Sequence, residues 1–193
     1  MATGKRIARP YQIYELEITL LGVGPRVWRR FAVRDNHSLM VLHDIIQMVM
    51  GWKDCHLHEF DIGGQIYAAR GFEIDGEDRP VRNEKRGYLR DVLGGQGFRF
   101  RYQYDFGDNW QHELKVVKVS PAEPGARYPV CLAGERACPP EDVGGVPGYE
   151  ESLEALADPQ HVEHQHMLDW VGGEFDPEAF DMKRVYWMLQ NIR

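Results

Sequence analysis

The alternating segment at residues 98–119, FRFRYQYDFGDNWQHELKVVKV, is the feature that most constrains the fold. Aromatic side chains occupy every second position of its first half, and Gly107, Asp108 and Asn109 supply turn residues before the alternation resumes. This is the pattern of a β-hairpin. A strand face made only of aromatic side chains predicts burial against a helix. The hairpin is therefore expected in a sheet that packs on a helix.

The first half of the chain predicts a strand pair and that helix. Residues 11–22 and 26–33 alternate on either side of a Gly-Pro turn and indicate an opening hairpin. Ser38 then offers an N-cap for a helix that ends at Gly51. The apolar, Met-rich stripe of this helix is the expected partner of the aromatic hairpin face. Residues 60–68 predict a further strand that is interrupted by two glycines.

Two segments without periodicity separate the remaining elements. Residues 71–86 are charged and rich in turn residues, so we expect a surface excursion there, followed by one helical turn at residues 87–93. Residues 120–148 hold six of the 11 prolines and predict a long, ordered Pro/Gly-rich loop. A loop of that length is usually functional when it is ordered.

The C-terminal part, residues 149–193, is predicted to be helical. Expected helices cover residues 149–157 and 161–171, and Asp176 caps a last helix that has proline at its first position and reaches Ile192. Strands in the first half and helices at the end predict the α+β class. The expected architecture is a mixed or antiparallel sheet roll with one packed helix and a helical C-terminal third.

Composition bounds the class of protein. A hydrophobic content of 43% over 193 residues is enough for one core, so we expect a single domain over residues 1–193. Residues 1–10 are expected to form a basic arm of this domain. The sequence contains no run of 18 apolar residues, so no membrane span is predicted. No apolar segment follows the N-terminal charges, so no signal peptide is predicted. Cys55, Cys131 and Cys138 form an odd set without a CxxC pair, which favours a reduced, cytoplasmic protein.

The net charge of −7 is unevenly distributed. Residues 1–34 carry seven basic and two acidic side chains, whereas residues 102–193 carry seven basic and 17 acidic ones. An acidic chain is a poor non-specific partner for nucleic acid, because phosphate neutralisation supplies most of that affinity. Nucleic-acid contact is therefore not favoured, and its weak candidates are Arg26, Arg29, Arg30 and Arg34. A charged or ion-paired strand edge is the favoured interpretation of these arginines.

Several enzyme classes lack their motifs in this sequence. It contains no GxGxxG or P-loop pattern for nucleotides and no Gly-x-Ser-x-Gly turn of the common hydrolases. The chain has three serines, Ser38, Ser120 and Ser152, and none has the context of a nucleophile. Cys131 and Cys138 allow a shared metal, a disulfide or buried thiols, and buried thiols are favoured narrowly.

One constellation could carry chemistry. It joins an HxH pair, the YDFGDNW tip of the hairpin and the PPED part of the proline loop; its candidate binding residues are His56, His58, Asp105, Asp108, Trp110, Glu141 and Asp142. Carboxylates with imidazole suit a divalent metal, for which His58, Asp105, Asp108 and Glu141 are the candidate ligands. Turn chemistry is the competing and favoured explanation of DFGD, because aspartate and asparagine stabilise tight turns. Beyond that alternative metal, no cofactor is predicted.

The motifs also resemble those of a known family. The segments PRVWRRF, LHDIIQMVMGWKDCHLHEFDI, YQYDFGDNWQHEL, CLAGERACPPEDVGGVPGYEESLEAL and EFDPEAFD resemble, in order, the plasmid pRi ORF-three-like family, also labelled as TnpR-like passenger proteins of insertion elements. The resemblance implies a single α+β domain of roll type. It implies little about function, because the family is essentially uncharacterised. Many relatives read CPPEDCGG, and Val143 stands in place of the second cysteine here, which weakens a thiolate metal site built on Cys138.

We therefore expect a mobile-element-associated binding or accessory module that is not catalytic. The partner would be a protein or a small ligand at the constellation described above. The alternatives are a divalent-metal-dependent hydrolase that uses the same groups and a nucleic-acid-contacting protein that uses the N-terminal arginines. An active serine recombinase is rejected, because the first serine is at a predicted helix cap and the C-terminal third is acidic where a DNA reader should be basic.

Overall fold

An open mixed β-sheet forms the centre of the computed structural model, which describes residues 11–69, 80–190 and 192. In these residues the strands are β1 (Gln12–Leu20), β2 (Trp28–Arg34), β3 (His58–Ile62), β4 (Gln65–Ala68), β5 (Arg82–Asn83), β6 (Arg99–Tyr104), β7 (Trp110–Pro121) and β8 (Val130–Glu135). Their order across the sheet is β5-β4-β3-β6-β7-β1-β2-β8. Strands β4 and β5 run parallel, and the other neighbours are antiparallel. The predicted α+β class is confirmed.

Five α-helices accompany the sheet in the described residues. They are α1 (Leu39–Met50), α2 (Leu89–Val92), α3 (Gly145–Ala157), α4 (His164–Val171) and α5 (Met182–Leu189). Helix α1 has the predicted ends: the Ser38 hydroxyl accepts the N–H of Val41, and Gly51 closes the helix with a φ of 104°. A φ in the left-handed region favours glycine, which explains why the helix ends there.

The aromatic face of the hairpin packs on α1, as predicted. Phe100, Tyr102 and Tyr104 of β6 are buried. The Tyr102 hydroxyl lies 3.0 Å from Nε2 of Gln47 and 2.8 Å from Nδ1 of His43, both on α1. These polar contacts satisfy a buried hydroxyl and fix the helix over the sheet. The end of α1 and the tip of the hairpin therefore lie side by side.

The prediction of an irregular loop at residues 120–148 is wrong in part. Strand β7 continues to Pro121, β8 lies within the segment, and α3 begins at Gly145. Strand β8 has little alternation of its own and exists because it pairs with β2 at the edge of the sheet. Such long-range pairing leaves no local periodicity in the sequence. Residues 136–144 remain as the loop that carries the prolines and carboxylates.

The last two helices begin later than predicted, α4 at His164 and α5 at Met182. Helix α5 is capped by Asp181, whose carboxylate accepts the N–H groups of Lys183 and Arg184, whereas the carboxylate of Asp176 accepts the N–H of Glu178 in a turn. Both aspartates fit an N-cap, and only tertiary packing selects the second. Most of the predicted excursion at residues 71–86, and the arm at residues 1–10, lie outside the described residues.

None of the helices within residues 11–69 and 80–190 has the length and apolar character that a membrane span requires.

Candidate functional site

His56 lies in the connection between α1 and β3. The chain reverses at Asp54, which has a φ of 54°, and β3 begins only at His58. His56 therefore precedes the strand that carries His58. Aspartate tolerates the left-handed conformation better than most residues, which suits it to this bend.

Asp105 stands at the start of the hairpin turn, directly after β6, with a φ of 55°. Its Oδ1 accepts the N–H groups of Gly107 at 2.9 Å and Asp108 at 3.3 Å. These bonds are the turn chemistry that the sequence favoured. The second oxygen, Oδ2, lies 3.6 Å from Nε2 of His56, and the Asp105 side chain is only 9% exposed. One carboxylate therefore closes the turn and faces the histidine.

Glu141 comes from the proline loop and is anchored by two donors. Its Oε1 accepts the backbone N–H of Lys53 at 2.6 Å and the hydroxyl of Tyr104 at 3.1 Å. Burial raises the pKa of Tyr104, so this phenol keeps its proton and acts as the donor. The Glu141 side chain is 8% exposed, and its Oε2 points toward His56 with 3.8 Å between Oε2 and Nε2.

Asp142 completes the group, with a φ of 55° and its Oδ1 3.1 Å from Nε2 of His56. We refer to His56, Asp105, Glu141 and Asp142 as the His56 cluster. Ligand atoms bound at about 2.1 Å to one divalent ion lie about 3 to 3.5 Å apart, which is close to these separations. Ligand atoms of His56, Asp105 and Asp142 lie within 4.8 Å of one another, so these three residues could hold such an ion, with Asp142 on its exposed side.

Two buried atoms of the His56 cluster lack hydrogen bonds. Nε2 of His56 and Oε2 of Glu141 are shielded from solvent, and within the part of the chain that the structure describes neither has a hydrogen-bond partner. A buried polar group without a partner is costly, and a buried carboxylate more so. The two atoms lie 3.8 Å apart. The arrangement is therefore incomplete as a hydrogen-bond network and suited to a cation.

His58 lies outside this cluster. Its Nε2 is 2.7 Å from Oε2 of the buried Glu84, and its ring stacks on the ring of His43 with 3.4 Å between the centroids. His43 in turn bonds Asp54 through Nε2 at 2.8 Å. We call His43, Asp54, His58 and Glu84 the His58 cluster. The sequence predicts His58 as a metal ligand at the hairpin tip. In the structure its Nε2 faces Glu84 and not the His56 cluster.

Asp108 and Trp110 also lie outside the His56 cluster. Oδ2 of Asp108 accepts the N–H of Gly144 at 3.1 Å, so this carboxylate ties the hairpin tip to the end of the proline loop. Trp110 is fully buried, and its ring centroid lies 5.6 Å from that of Trp52. The two residues hold the site together without facing it.

The four N-terminal arginines all contact other parts of the chain. Arg29 is buried, and its guanidinium donates to the carbonyl oxygens of Trp28, Val49, Glu135 and Arg136. Arg26 and Arg30 both pair with Glu17 on β1. Arg34 lies over the ring of Tyr11, 5.1 Å from its centroid. Arg29 is therefore not available to a phosphate, and the ion-paired strand edge describes Arg26 and Arg30.

The cysteines are unpaired, and burial raises the pKa of Cys131 and of Cys138. Both of these thiols are therefore protonated near neutral pH, which fits the buried-thiol interpretation. His164, one of the C-terminal histidines, bonds the carbonyl of Ala155 through Nδ1 at 2.8 Å.

Sequence reasoning missed two partners of the His56 cluster. Tyr104 was placed only in the aromatic core, although the choice of tyrosine over phenylalanine at a buried strand end indicates a hydroxyl with a partner. The Lys53 contact is made by a backbone N–H, for which no side-chain pattern exists. A groove of about 540 Å³ adjoins the cluster, with Glu141 and Asp142 on one side and Trp170 and Arg184 among its other walls.

The fold and the cluster define a class: α+β proteins with an open mixed sheet and a histidine–carboxylate group where a hairpin tip meets a proline loop. The chain matches the plasmid pRiA4b ORF-3-like proteins over residues 12–184, and it belongs to that family. It is 37% identical over 177 residues to the uncharacterized protein y4hQ of Sinorhizobium fredii, which covers 90% of this chain and 88% of that protein.

A solved structure has the same fold. The chain is similar to the crystal structure of MM3350, a protein of unknown function from Methanosarcina mazei Go1, with 41% identity and a TM-score of 0.80. The match covers 91% of this chain and 98% of that one. The family resemblance read from the motifs is thus confirmed. Since neither relative has a described function, a function has to be argued from the site.

Proposed function

We propose that this chain is a binding module that holds one divalent cation in the His56 cluster. The observation that carries the proposal is that ligand atoms of His56, Asp105 and Asp142 lie within 4.8 Å of one another, while Nε2 of His56 and Oε2 of the neighbouring Glu141 are buried and lack a hydrogen bond among the described residues. Three carboxylates around one imidazole repel each other in the absence of a cation. A divalent ion would compensate this charge and satisfy the buried atoms together.

The proposal is a binding function and not hydrolysis. Hydrolysis would need a substrate bond placed against a metal-bound water, and no contact among the described residues argues for one. The cluster could present the ion to a protein or small-molecule partner in the adjoining groove. The plasmid in the family name supports an accessory role for a mobile element, in the reduced cytoplasmic setting that the cysteines favour.

Recombination and nucleic-acid contact are not proposed. Ser38 caps α1 and is buried, so it is in no position to attack a phosphodiester. The guanidinium of Arg29 donates to four backbone carbonyls. A substitution of Arg29 would therefore disrupt the sheet edge and would not test a phosphate contact.

Titration of chelator-treated protein with Zn²⁺, Mn²⁺ and Mg²⁺ in a calorimeter tests the proposal. We expect one ion per chain and a rise in melting temperature, since a ligand at 100 times its Kd stabilises by about 2.7 kcal/mol. His56→Ala and Glu141→Gln should abolish both effects, and His161→Ala, a change at an exposed histidine, should leave them intact. Failure of the wild-type chain to bind any of the three ions stoichiometrically would end the proposal.

A further inference from the structure

The exposed thiol of Cys55 lies next to the His56 cluster. It precedes His56 directly, and the reversal of the chain at Asp54 turns it toward the hairpin tip. Ligand atoms of Cys55, His56 and Glu141 lie within 4.8 Å of one another, so the sulfur, an imidazole nitrogen and a carboxylate oxygen can reach one ion. The left-handed Asp54 directly before Cys55 supplies a bend in the chain at this point.

The contacts of Cys55 support a ligand role better than a structural one. Its Sγ is 3.8 Å from the hydroxyl of Tyr104, a distance at the outer limit for sulfur, while its backbone N–H donates to the same hydroxyl at 3.1 Å. The backbone is thus fixed, and the thiol has only a weak contact to lose. Glu141 supplies the independent observation. Its side chain is only 8% exposed, so more than nine-tenths of it is buried. Its Oε2 points toward His56 and has no hydrogen bond among the described residues.

We infer that Cys55 binds the cation together with His56 and Glu141 and that the site therefore selects a thiophilic ion of the Zn²⁺ class over Mg²⁺ or Ca²⁺. Carboxylates alone suit hard ions, whereas an imidazole together with a thiolate suits Zn²⁺. The inference rests on the proposed cation-binding function and narrows it to a class of metal. Binding replaces the S–H bond of Cys55 by an S–metal bond and releases that proton to the solvent.

Co²⁺ provides the test, because a thiolate bound to Co²⁺ gives a charge-transfer band in the near ultraviolet. We expect this band when Co²⁺ is added to the chelator-treated wild-type protein and its loss in Cys55→Ser. The same variant should lose Zn²⁺ affinity by at least the about 10- to 100-fold that is typical of groups which merely orient a ligand. Its Mg²⁺ affinity should stay within about twofold, because Mg²⁺ takes only oxygen ligands.

Thiol modification gives a second measurement that needs no variant. Cys55 is exposed, Cys131 is buried and Cys138 is partly buried, so a thiol reagent should attack Cys55 first in the native protein. Zn²⁺ should slow that attack, and Mg²⁺ should not. If Zn²⁺ binds while the charge-transfer band is absent and the modification rate is unchanged, the role of Cys55 is overturned and the proposed function stands. If no ion binds to the wild type, the proposed function fails first.

Discussion

The His56 and His58 clusters contain histidines that are two residues apart in the sequence. The two clusters differ in how their polar groups are hydrogen-bonded. In the His58 cluster, His58 and Glu84 meet at 2.7 Å and His43 and Asp54 at 2.8 Å, both within hydrogen-bond distance. In the His56 cluster the carboxylate oxygens stand 3.1 to 3.8 Å from one imidazole nitrogen. Both clusters contain histidine, aspartate and glutamate, but the distances between their polar atoms differ.

The difference separates a structural cluster from a candidate binding site. In the His58 cluster, His58 and Glu84 pair closely, and the Glu84 side chain is only 4% exposed. In the His56 cluster, Nε2 of His56 and Oε2 of Glu141 are buried without a hydrogen bond among the described residues. An HxH motif by itself therefore carries little information, since one of its histidines stabilises the fold and the other offers a nitrogen to a ligand.

The largest effect is expected from breaking the closed pair. Glu84→Ala removes the buried partner of His58 and should cost about 3 to 5 kcal/mol of unfolding free energy, as is typical when one member of a buried pair is deleted. Cation affinity should stay within twofold, because Glu84 is not in the His56 cluster. Urea unfolding and calorimetry measure the two quantities. A comparable loss for Glu123→Ala, at an exposed position, would contradict this explanation.

A smaller effect follows from pH. Burial, and then repulsion from His58, lowers the pKa of His43 to about 4, so His43 is neutral in the folded protein near neutral pH. The unfolded chain takes up this proton near pH 6.5, and stability is therefore fully present above pH 6.5 and lost as the pH falls toward 4. The total loss is about 3 kcal/mol at 1.36 kcal/mol per pKa unit.

His43→Gln isolates this contribution. Urea unfolding of wild type and variant with chelator present, at pH 7.5 and again near pH 4.5, should show a shallower pH dependence for the variant. His37 and His112, whose pKa values burial also lowers to about 4, remain in both proteins and cancel in the difference. Equal slopes for the two proteins would mean that His43 does not stay neutral when the chain folds.

The third effect tests how the hairpin tip holds the proline loop. Gly145 has a φ of 68°, and a Cβ there would lie 2.5 Å from the carbonyl oxygen of Asp108. Gly145→Ala should cost about 1 to 2 kcal/mol from the left-handed conformation and should also weaken cation binding, because it displaces the loop that carries Glu141. Gly172→Ala is the matched control, with a φ of 85° and open space around it. Cation binding that survives both changes would show that the contact does not position the site.

Local patterns predicted the parts of the fold that local physics decides. Helix α1 and the β6–β7 hairpin follow from capping and alternation, and both are confirmed. Strand β8 and the start of α5 were missed because edge pairing and packing decide them, against weak or duplicated local signals. The meeting of His56, Asp105 and Glu141 depends on where three connections converge, which spacing along the chain does not encode. The motifs supplied these residues together with His58 and Asp108, which the fold uses elsewhere.

The smallest effect is also the one that separates the two clusters most directly. Glu141→Gln keeps Oε1 for the N–H of Lys53 and the hydroxyl of Tyr104, and it removes a buried charge that lacks a partner at Oε2. Without cation the variant should therefore be as stable as wild type or more stable by up to about 1 kcal/mol. With saturating Zn²⁺ the order should reverse, since only wild type gains from binding. Urea unfolding in chelator and in Zn²⁺ measures both, and a clear loss of stability in chelator would show that Glu141, like Glu84, is a structural carboxylate.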